Sequence, residues 1–157
     1  MNSKTISIIA IFLWVATISI IGYRFIKGNA QQVESMEDTR MAITLTPDEK
    51  SHVLGEMRAM LNSIQGIVAG LDQGDMKMVS EAALESGTAH MVDTDPRLMM
   101  KLPLSFKKLG IGSHEYYDKI SEVALADGSQ KKILSMLNSQ LQTCIACHDT
   151  FQFVTEP

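Results

Sequence analysis

The chain has 157 residues, of which 45% are hydrophobic and 20% are charged, and its formal net charge is −4. This composition excludes an intrinsically disordered chain, which would contain far fewer apolar residues. All 18 acidic residues but only 11 of the 14 lysines and arginines follow residue 30. Residues 31–157 therefore carry a formal charge of about −7. Because phosphate binding requires a basic surface, we expect no nucleic-acid partner.

The first predicted element is an apolar run over residues 6–26, in which Arg24 is the only charged residue. A helix of this length rises about 31 Å, which matches the hydrocarbon core of a bilayer. The alternative is a cleaved signal peptide, with Lys4 as its basic flank and residues 28–30 as the cleavage site. The run is longer than the apolar core of a signal peptide, so we favour an uncleaved membrane anchor over residues 1–30.

The next segment, residues 31–46, is polar and has no periodicity, which predicts a tether. Thr46 then provides an N-cap, Pro47 the first helical position and Glu49 the third, and together they form a capping box. Apolar residues follow at alternating steps of four and three, which predicts an amphipathic helix. The apolar seam of this helix is formed by Val53, Met57, Met60, Ile64, Ile67 and Leu71.

Three more helices are predicted within the domain formed by residues 47–157. The second helix should cover about residues 75–92, the third should pass through residues 106–124, and the fourth should begin after Ser129. No segment has the period of a strand, and the connections are short except around Pro96. We therefore predict an all-α fold, an antiparallel four-helix bundle preceded by one N-terminal transmembrane helix.

The only two cysteines lie in the predicted last helix, in the sequence Cys144-Ile145-Ala146-Cys147-His148. C-x-x-C-H is the attachment signature of c-type haem: two thiols on one helix face form thioethers to one porphyrin, and the histidine binds the iron. We therefore predict one haem c, attached covalently through Cys144 and Cys147, with His148 as the proximal iron ligand.

Three alternatives to haem fit this motif less well. A thioredoxin-type C-x-x-C stands at a helix start beside a strand, whereas this one lies late in a helix. A structural zinc site requires four ligands. A disulfide between consecutive helical turns closes a very small loop and stabilises little.

Because covalent haem attachment takes place outside the bacterial cytoplasmic membrane, we expect residues 31–157 in the periplasm.

The last helix resembles that of the class II c-type cytochromes, the cytochrome c′ and cytochrome c-556 group. The likeness consists of the C-x-x-C-H motif followed by Asp149 and then the aromatic Phe151, and it extends over about residues 47–153. It implies a four-helix haem bundle and leaves a homodimer open, because bundles of this family commonly pair. Two departures are Gln152, where the family often has a basic residue, and the anchor, which the usual soluble member lacks.

The resemblance implies two alternatives for the distal coordination position of the haem iron, opposite His148. Members with an apolar residue there keep a five-coordinate iron that binds nitric oxide or carbon monoxide, whereas members with a first-helix methionine ligand transfer electrons. In an antiparallel bundle the start of the first helix lies beside the end of the last, and Met57 and Met60 lie at that depth. We expect Met57, ahead of Met60, as the distal ligand, although methionine also fills irregular cores.

Other side chains have weaker predicted roles at the haem. His90, late in the second helix, is the best candidate for a second histidine ligand, whereas we expect His52 at the surface and His114 in a structural or surface position. Arg58, next to Met57, is expected to reach a haem propionate.

We therefore expect a membrane-anchored periplasmic cytochrome with one haem, which carries one electron between redox protein partners and is not an enzyme. The alternatives are a gas-binding haem protein and a haem accessory subunit of a respiratory complex. A cluster of lysines where the third helix begins, Lys101, Lys107 and Lys108, could dock an acidic redox partner, although we favour a solvated helix start as its explanation.

Overall fold

The computed structural model describes residues 3–27, 38–91, 95–126 and 128–155, and in the first of these ranges it describes the side chains of residues 5–20. Helices dominate these residues, which confirms the predicted all-α class. The chain divides into two units, residues 1–38 and 39–157.

The first unit contains helix α1, Ser3–Lys27. Its described side chains are mostly apolar, and consecutive residues such as Phe12, Leu13 and Trp14 are all more than 60% exposed. Within the described residues, no helix is both long enough and apolar enough to span a bilayer.

The second unit begins with strand β1, Met41–Leu45, and continues into helix α2, Pro47–Gln73. The predicted capping box is confirmed: the Glu49 backbone N–H donates to Thr46 Oγ1 at 3.2 Å, and the Thr46 backbone N–H donates to Glu49 Oε2 at 2.8 Å. Helix α2 ends at Gly74, whose φ of 68° lies in the left-handed region that favours glycine.

The second predicted helix is shorter than expected. Helix α3, Met76–Leu84, stops before Ser86, and a 3₁₀ turn follows at Thr88–Met91. The side chains of two residues further along the chain explain this end: His114 Nδ1 lies 2.8 Å from Ser86 O, and Asp118 Oδ2 accepts from both the backbone N–H and the hydroxyl of Thr88. These bonds replace helical ones. The prediction of one helix to residue 92 is therefore wrong, although residue 92 itself lies outside the described residues.

Three helices and a strand complete the unit. A short helix that we did not predict, α4, covers Pro96–Lys101, and the third predicted helix is α5, Leu104–Ala126. Helix α6, Gln130–Thr150, begins at the predicted cap, where the Lys132 backbone N–H donates to Ser129 Oγ at 3.4 Å. It leads directly into strand β2, Phe151–Thr155.

The two strands correct the expectation that the chain has none. β1 and β2 pair in parallel, with Met41 opposite Phe151 and Leu45 opposite Thr155. Residues 41–45 are therefore a strand and not the end of a polar tether, and the predicted tether over residues 31–37 lies outside the described residues. Only Ile43 and Leu45 are buried in β1, so its alternation is too short to recognise in the sequence.

The side chains of the second unit form two apolar clusters. The central cluster joins α2, α3, α5 and α6 and consists of Ile67, Leu71, Val79, Ala83, Tyr117, Ile120, Ala124, Ile133 and Leu137. The terminal cluster joins β1, α2, α4, α5 and β2 and consists of Ile43, Leu45, Val53, Leu98, Leu102, Phe106 and Phe151. Along the chain, α2 packs on α3, α3 on α5, and α5 on α6.

The contact between α2 and α3 provides a test of this packing. A Cβ at Gly70 would lie 2.8 Å from Val79 Cγ2 and 2.9 Å from the Val79 backbone nitrogen. We expect Gly70→Ala to lower the free energy of unfolding by about 1–3 kcal/mol, because the two helices would have to separate.

Gly112→Ala in α5 is the matched control, because a Cβ there meets no atom within 4 Å. This variant should be more stable by about 0.5–1 kcal/mol, since alanine favours the helix. Denaturant unfolding of the full chain measures both values, and an unchanged stability in Gly70→Ala would contradict the close packing of α2 on α3.

Candidate functional site

A cavity of about 500 Å³ lies within the second unit, between the central and terminal clusters. Its lining comes from α2, α4, α5 and α6 and is mostly apolar. Met60 and Ile64 connect the lining to the central cluster, and Met57 and Leu109 connect it to the terminal cluster. The volume lies in the range of sites that enclose a cofactor or a small ligand.

The three residues of the C-x-x-C-H motif line this cavity together. Cys144 and Cys147 stand one turn apart on α6, are partly buried, and are both free thiols. His148 lines the cavity as well, and its side chain is exposed. Helix α6 ends two residues later at Thr150.

Burial makes the acidic groups around the motif weaker acids. It raises the pKa of the Cys144 thiol, and burial followed by the charge of Cys144 raises the pKa of the Cys147 thiol. Burial, with a smaller contribution from Cys144, raises the pKa of Tyr117 to about 12. At neutral pH both thiols and the phenol are therefore protonated.

The first-helix residues predicted to reach the haem all line the cavity. Met57 and Met60 are both partly buried, and Arg58 and His52 are exposed at the same cavity. The backbone carbonyl of Met60 accepts a hydrogen bond from Tyr117 Oη at 3.1 Å, which holds this part of α2 against α5.

The remaining histidines have different positions. His114 is buried with 8% of its surface exposed and bonds Ser86 O, which agrees with a structural role, although its ring also contributes to the cavity lining. His90 is exposed on the 3₁₀ turn and does not line the cavity, so the geometry does not favour it as a ligand. Two methionines that we did not single out, Met91 and Met99, also line the cavity.

Arg40 is a residue of this site that the sequence analysis missed. Its Nη1 donates to the carbonyl of His148 at 3.1 Å and to that of Phe151 at 3.5 Å. The side chain of Gln152 donates in turn to Arg40 O at 3.2 Å. A cation at the C-terminal end of a helix also complements the helix dipole. No local pattern could reveal Arg40, since 108 residues separate it from His148.

The predicted lysine cluster is engaged within the chain. Lys101 Nζ lies 2.9 Å from Glu49 Oε2, and this bond is the main cause of the lowered pKa of Glu49. Lys107 lines the cavity and donates to Met99 O at 3.3 Å, whereas Lys108 is exposed. Part of the cluster thus stabilises the start of α2 and the position of α4.

The residues that the structure describes contain no group of three or more histidine, cysteine, aspartate or glutamate side chains arranged to hold a metal ion. Comparison of the chain with models of protein families, with curated proteins and with solved structures found no match. The residues and geometry of the cavity therefore carry the functional argument.

The raised pKa values of the thiols lead to a prediction for the chain made without haem attachment. The thiolate is the reactive form, so iodoacetamide should modify Cys144 and Cys147 at neutral pH more slowly in the folded chain than in the chain unfolded by urea. Mass spectrometry at successive times measures the two rates.

The same shifts determine a pH dependence of stability. Because the folded pKa of each thiol is raised, its contribution to stability is present at neutral pH and is lost as the pH rises through the folded pKa.

In the alkylation experiment, equal rates of modification in the folded and unfolded chains would contradict the burial of both thiols.

Proposed function

We propose that this chain is a membrane-anchored periplasmic c-type cytochrome with one haem, which carries one electron between redox protein partners. The observation that supports this most is the meeting of Cys144, Cys147 and His148 at one apolar cavity to which α2 contributes Met57 and Met60. A C-x-x-C-H motif that lined no cavity could occur in a sequence by chance. In this chain the motif lines a cavity.

The residues of the cavity fit a covalently bound haem. The two thiols stand at positions i and i+3 of one helix, so both can form thioethers to one porphyrin. His148 would supply the imidazole ligand to the iron, and the apolar lining suits the faces of the macrocycle. When bound, haem supplies a one-electron iron couple.

The protein's own contribution is to hold this group and control its surroundings. The side chains of both clusters give the cavity its mostly apolar surroundings. Arg40 holds the carbonyl of His148 and so positions the end of α6. Electron transfer through the haem edge needs no general acid, base or nucleophile, so we propose a carrier and not an enzyme.

The class II cytochrome fold is part of the proposal. The contacts of α2 with α3, of α3 with α5 and of α5 with α6 support an antiparallel bundle of these four helices. Bundles of the resembling family commonly pair, so a homodimer is compatible with it.

The anchor is proposed from the sequence. The apolar run covers residues 6–26, and the described side chains of α1, which end at Ile20, are exposed and mostly apolar. A helix that is hydrophobic all round requires a nonpolar environment. Since haem c is attached outside the bacterial cytoplasmic membrane, the haem domain would face the periplasm.

A second candidate function, gas binding at a five-coordinate iron, is favoured by the packing of the two methionines. Met57 packs against the terminal cluster and Met60 against the central cluster, so each already has apolar partners. Leu61 and Ile64 extend the same apolar lining. A role as haem subunit of a respiratory complex is the third candidate, and co-purification with other membrane chains would support it.

The proposal predicts where covalent haem is found. In a bacterial host that matures c-type cytochromes, the full chain should be in the membrane fraction and should retain haem on a denaturing gel. Cys144→Ser and Cys147→Ser should each leave at most one thioether and sharply reduce the haem signal. The double variant should lose it completely.

Ile145→Ala is the control within the same motif, because Ile145 is 60% exposed and does not line the cavity. It should retain the parental haem content. Normal covalent haem in the double cysteine variant would contradict the attachment site, and haem-bearing chain recovered entirely from the soluble fraction would contradict the anchor.

The electron-carrier hypothesis makes a further prediction about Met57. In the parent protein the ferrous iron should be low-spin and should not bind carbon monoxide. Met57→Ala should become high-spin, bind carbon monoxide at once, and lose on the order of 0.1 V of reduction potential, within the range of about 0.8 V that axial ligands span. Optical spectra and a redox titration measure these changes.

Met60→Ala tests the second ligand candidate, and Met100→Ala is the control because Met100 is 78% exposed. If only Met60→Ala changes the spin state, Met60 is the ligand. A parent protein that is already high-spin and binds carbon monoxide would favour the gas-binding function instead.

A further inference from the structure

A second, smaller cavity of about 250 Å³ adjoins the first near the end of α6. The two cavities share part of their lining, namely Leu54, Met57, Phe106, Cys147 and His148. The residues specific to the smaller one are Arg40, Lys50, Phe151, Gln152 and Phe153. They come from the segment before β1, from α2 and from β2, so the pairing of the strands builds this cavity.

The smaller cavity differs from the larger one in its charges. Among the described residues that line it, the titratable ones are Arg40, Lys50, Cys147 and His148, and none is an aspartate or glutamate. Lys50 Nζ donates to Thr155 Oγ1 at 3.4 Å, and Arg40 is held at the carbonyls of His148 and Phe151. The side chains of Arg40 and Lys50 therefore place two basic groups at this cavity.

The larger cavity contains a more balanced set of charges. Its titratable lining residues are His52, Glu56, Arg58, Lys107, His114, Cys144, Cys147 and His148. Arg58, which the sequence suggested for a propionate, is exposed and adjoins residues of this mostly apolar lining. A carboxylate buried among apolar side chains without a partner would be strongly unfavourable.

The two parts of haem match the two cavities. Its flat, apolar ring suits the larger, mostly apolar cavity, and its two propionates are carboxylates that suit the basic residues of the smaller one. We infer that the smaller cavity is the carboxylate subsite of the haem site, in which Arg40 and Lys50 pair with the propionates. This inference rests on the proposed function. Arginine and lysine donors form charge-assisted hydrogen bonds to carboxylates, which are stronger than neutral ones.

This assignment gives a role to Gln152, the position at which the chain departs from the family that it resembles. Gln152 cannot supply a cation, but its side chain donates to Arg40 O and so helps to hold the cation that a distant part of the chain provides. The propionate edge of the haem would then lie toward β1 and β2, and the segment that follows the tether would belong to the cofactor site.

The test uses the full chain in detergent with Cys144→Ala and Cys147→Ala, so that haem binds reversibly. Ferric haem and its dimethyl ester, in which both carboxylates are blocked, are titrated by absorbance. Arg40→Gln and Lys50→Gln should each weaken the binding of haem about fivefold, the size expected of a partly exposed charge pair. Neither should change the binding of the ester. Partition of each probe into detergent is the same for every variant and cancels in the comparison.

Lys108→Gln is the matched control, since Lys108 is exposed and lines neither cavity, and it should bind both probes like the parent. Lys50→Gln leaves the contacts of Arg40 with α6 in place, so the test remains usable if Arg40→Gln does not fold. Arg40→Lys should retain most of the preference for haem over the ester.

Three results would overturn the inference. If both probes weaken equally, Arg40 and Lys50 act on the structure and not on the carboxylates. If neither probe weakens, the propionates lie elsewhere, and the proposed function still stands as long as the parent binds haem. If the parent binds neither probe and the unmodified chain carries no covalent haem, the proposed function fails and the subsite fails with it.

Discussion

The parallel pairing of β1 with β2 is the constraint on which the site depends. It joins residues 41–45 to residues 151–155, and it thereby brings Arg40 to the last turn of α6, where its guanidinium donates to the carbonyl of His148. Phe151 and Phe153 meet the ring of Phe106 edge-on at centroid distances of 5.4 and 5.6 Å. The end of α6 is thus held from the strand side and from α5.

Hydrogen bonds between small polar side chains set the positions of the helices that carry the cavity. Ser63 and Ser86 pair at 2.8 Å, and Ser80 and Ser121 pair at 2.7 Å, all of them buried. Small side chains let α2, α3 and α5 approach closely, and a buried hydroxyl without a partner would be costly. A shift of any one helix would break such a pair, so the helix positions are specific.

The surroundings of Cys144 connect this packing to the chemistry of the site. Tyr117 is fully buried and donates to the carbonyl of Met60, and the charge of Cys144 makes a smaller contribution than burial to its raised pKa. One helical turn before Cys144, Gln140 is also buried, and its Nε2 has no hydrogen-bond partner among the described residues. The cysteine therefore stands against a rigid, largely neutral wall.

The sequence alone determined the features that depend on neighbours along the chain. The Thr46 capping box, the end of α2 at Gly74 and the cap of α6 at Ser129 require only residues within a few positions, and the spacing of Cys144 and Cys147 places both thiols on one helix face. The all-α class followed from such local patterns. The tertiary structure alone decided the β1–β2 pairing, the early end of α3, the exposure of His148 and the position of Arg40. Each of these depends on contacts between residues far apart in the chain, whose energies leave no periodic or compositional signal at either position.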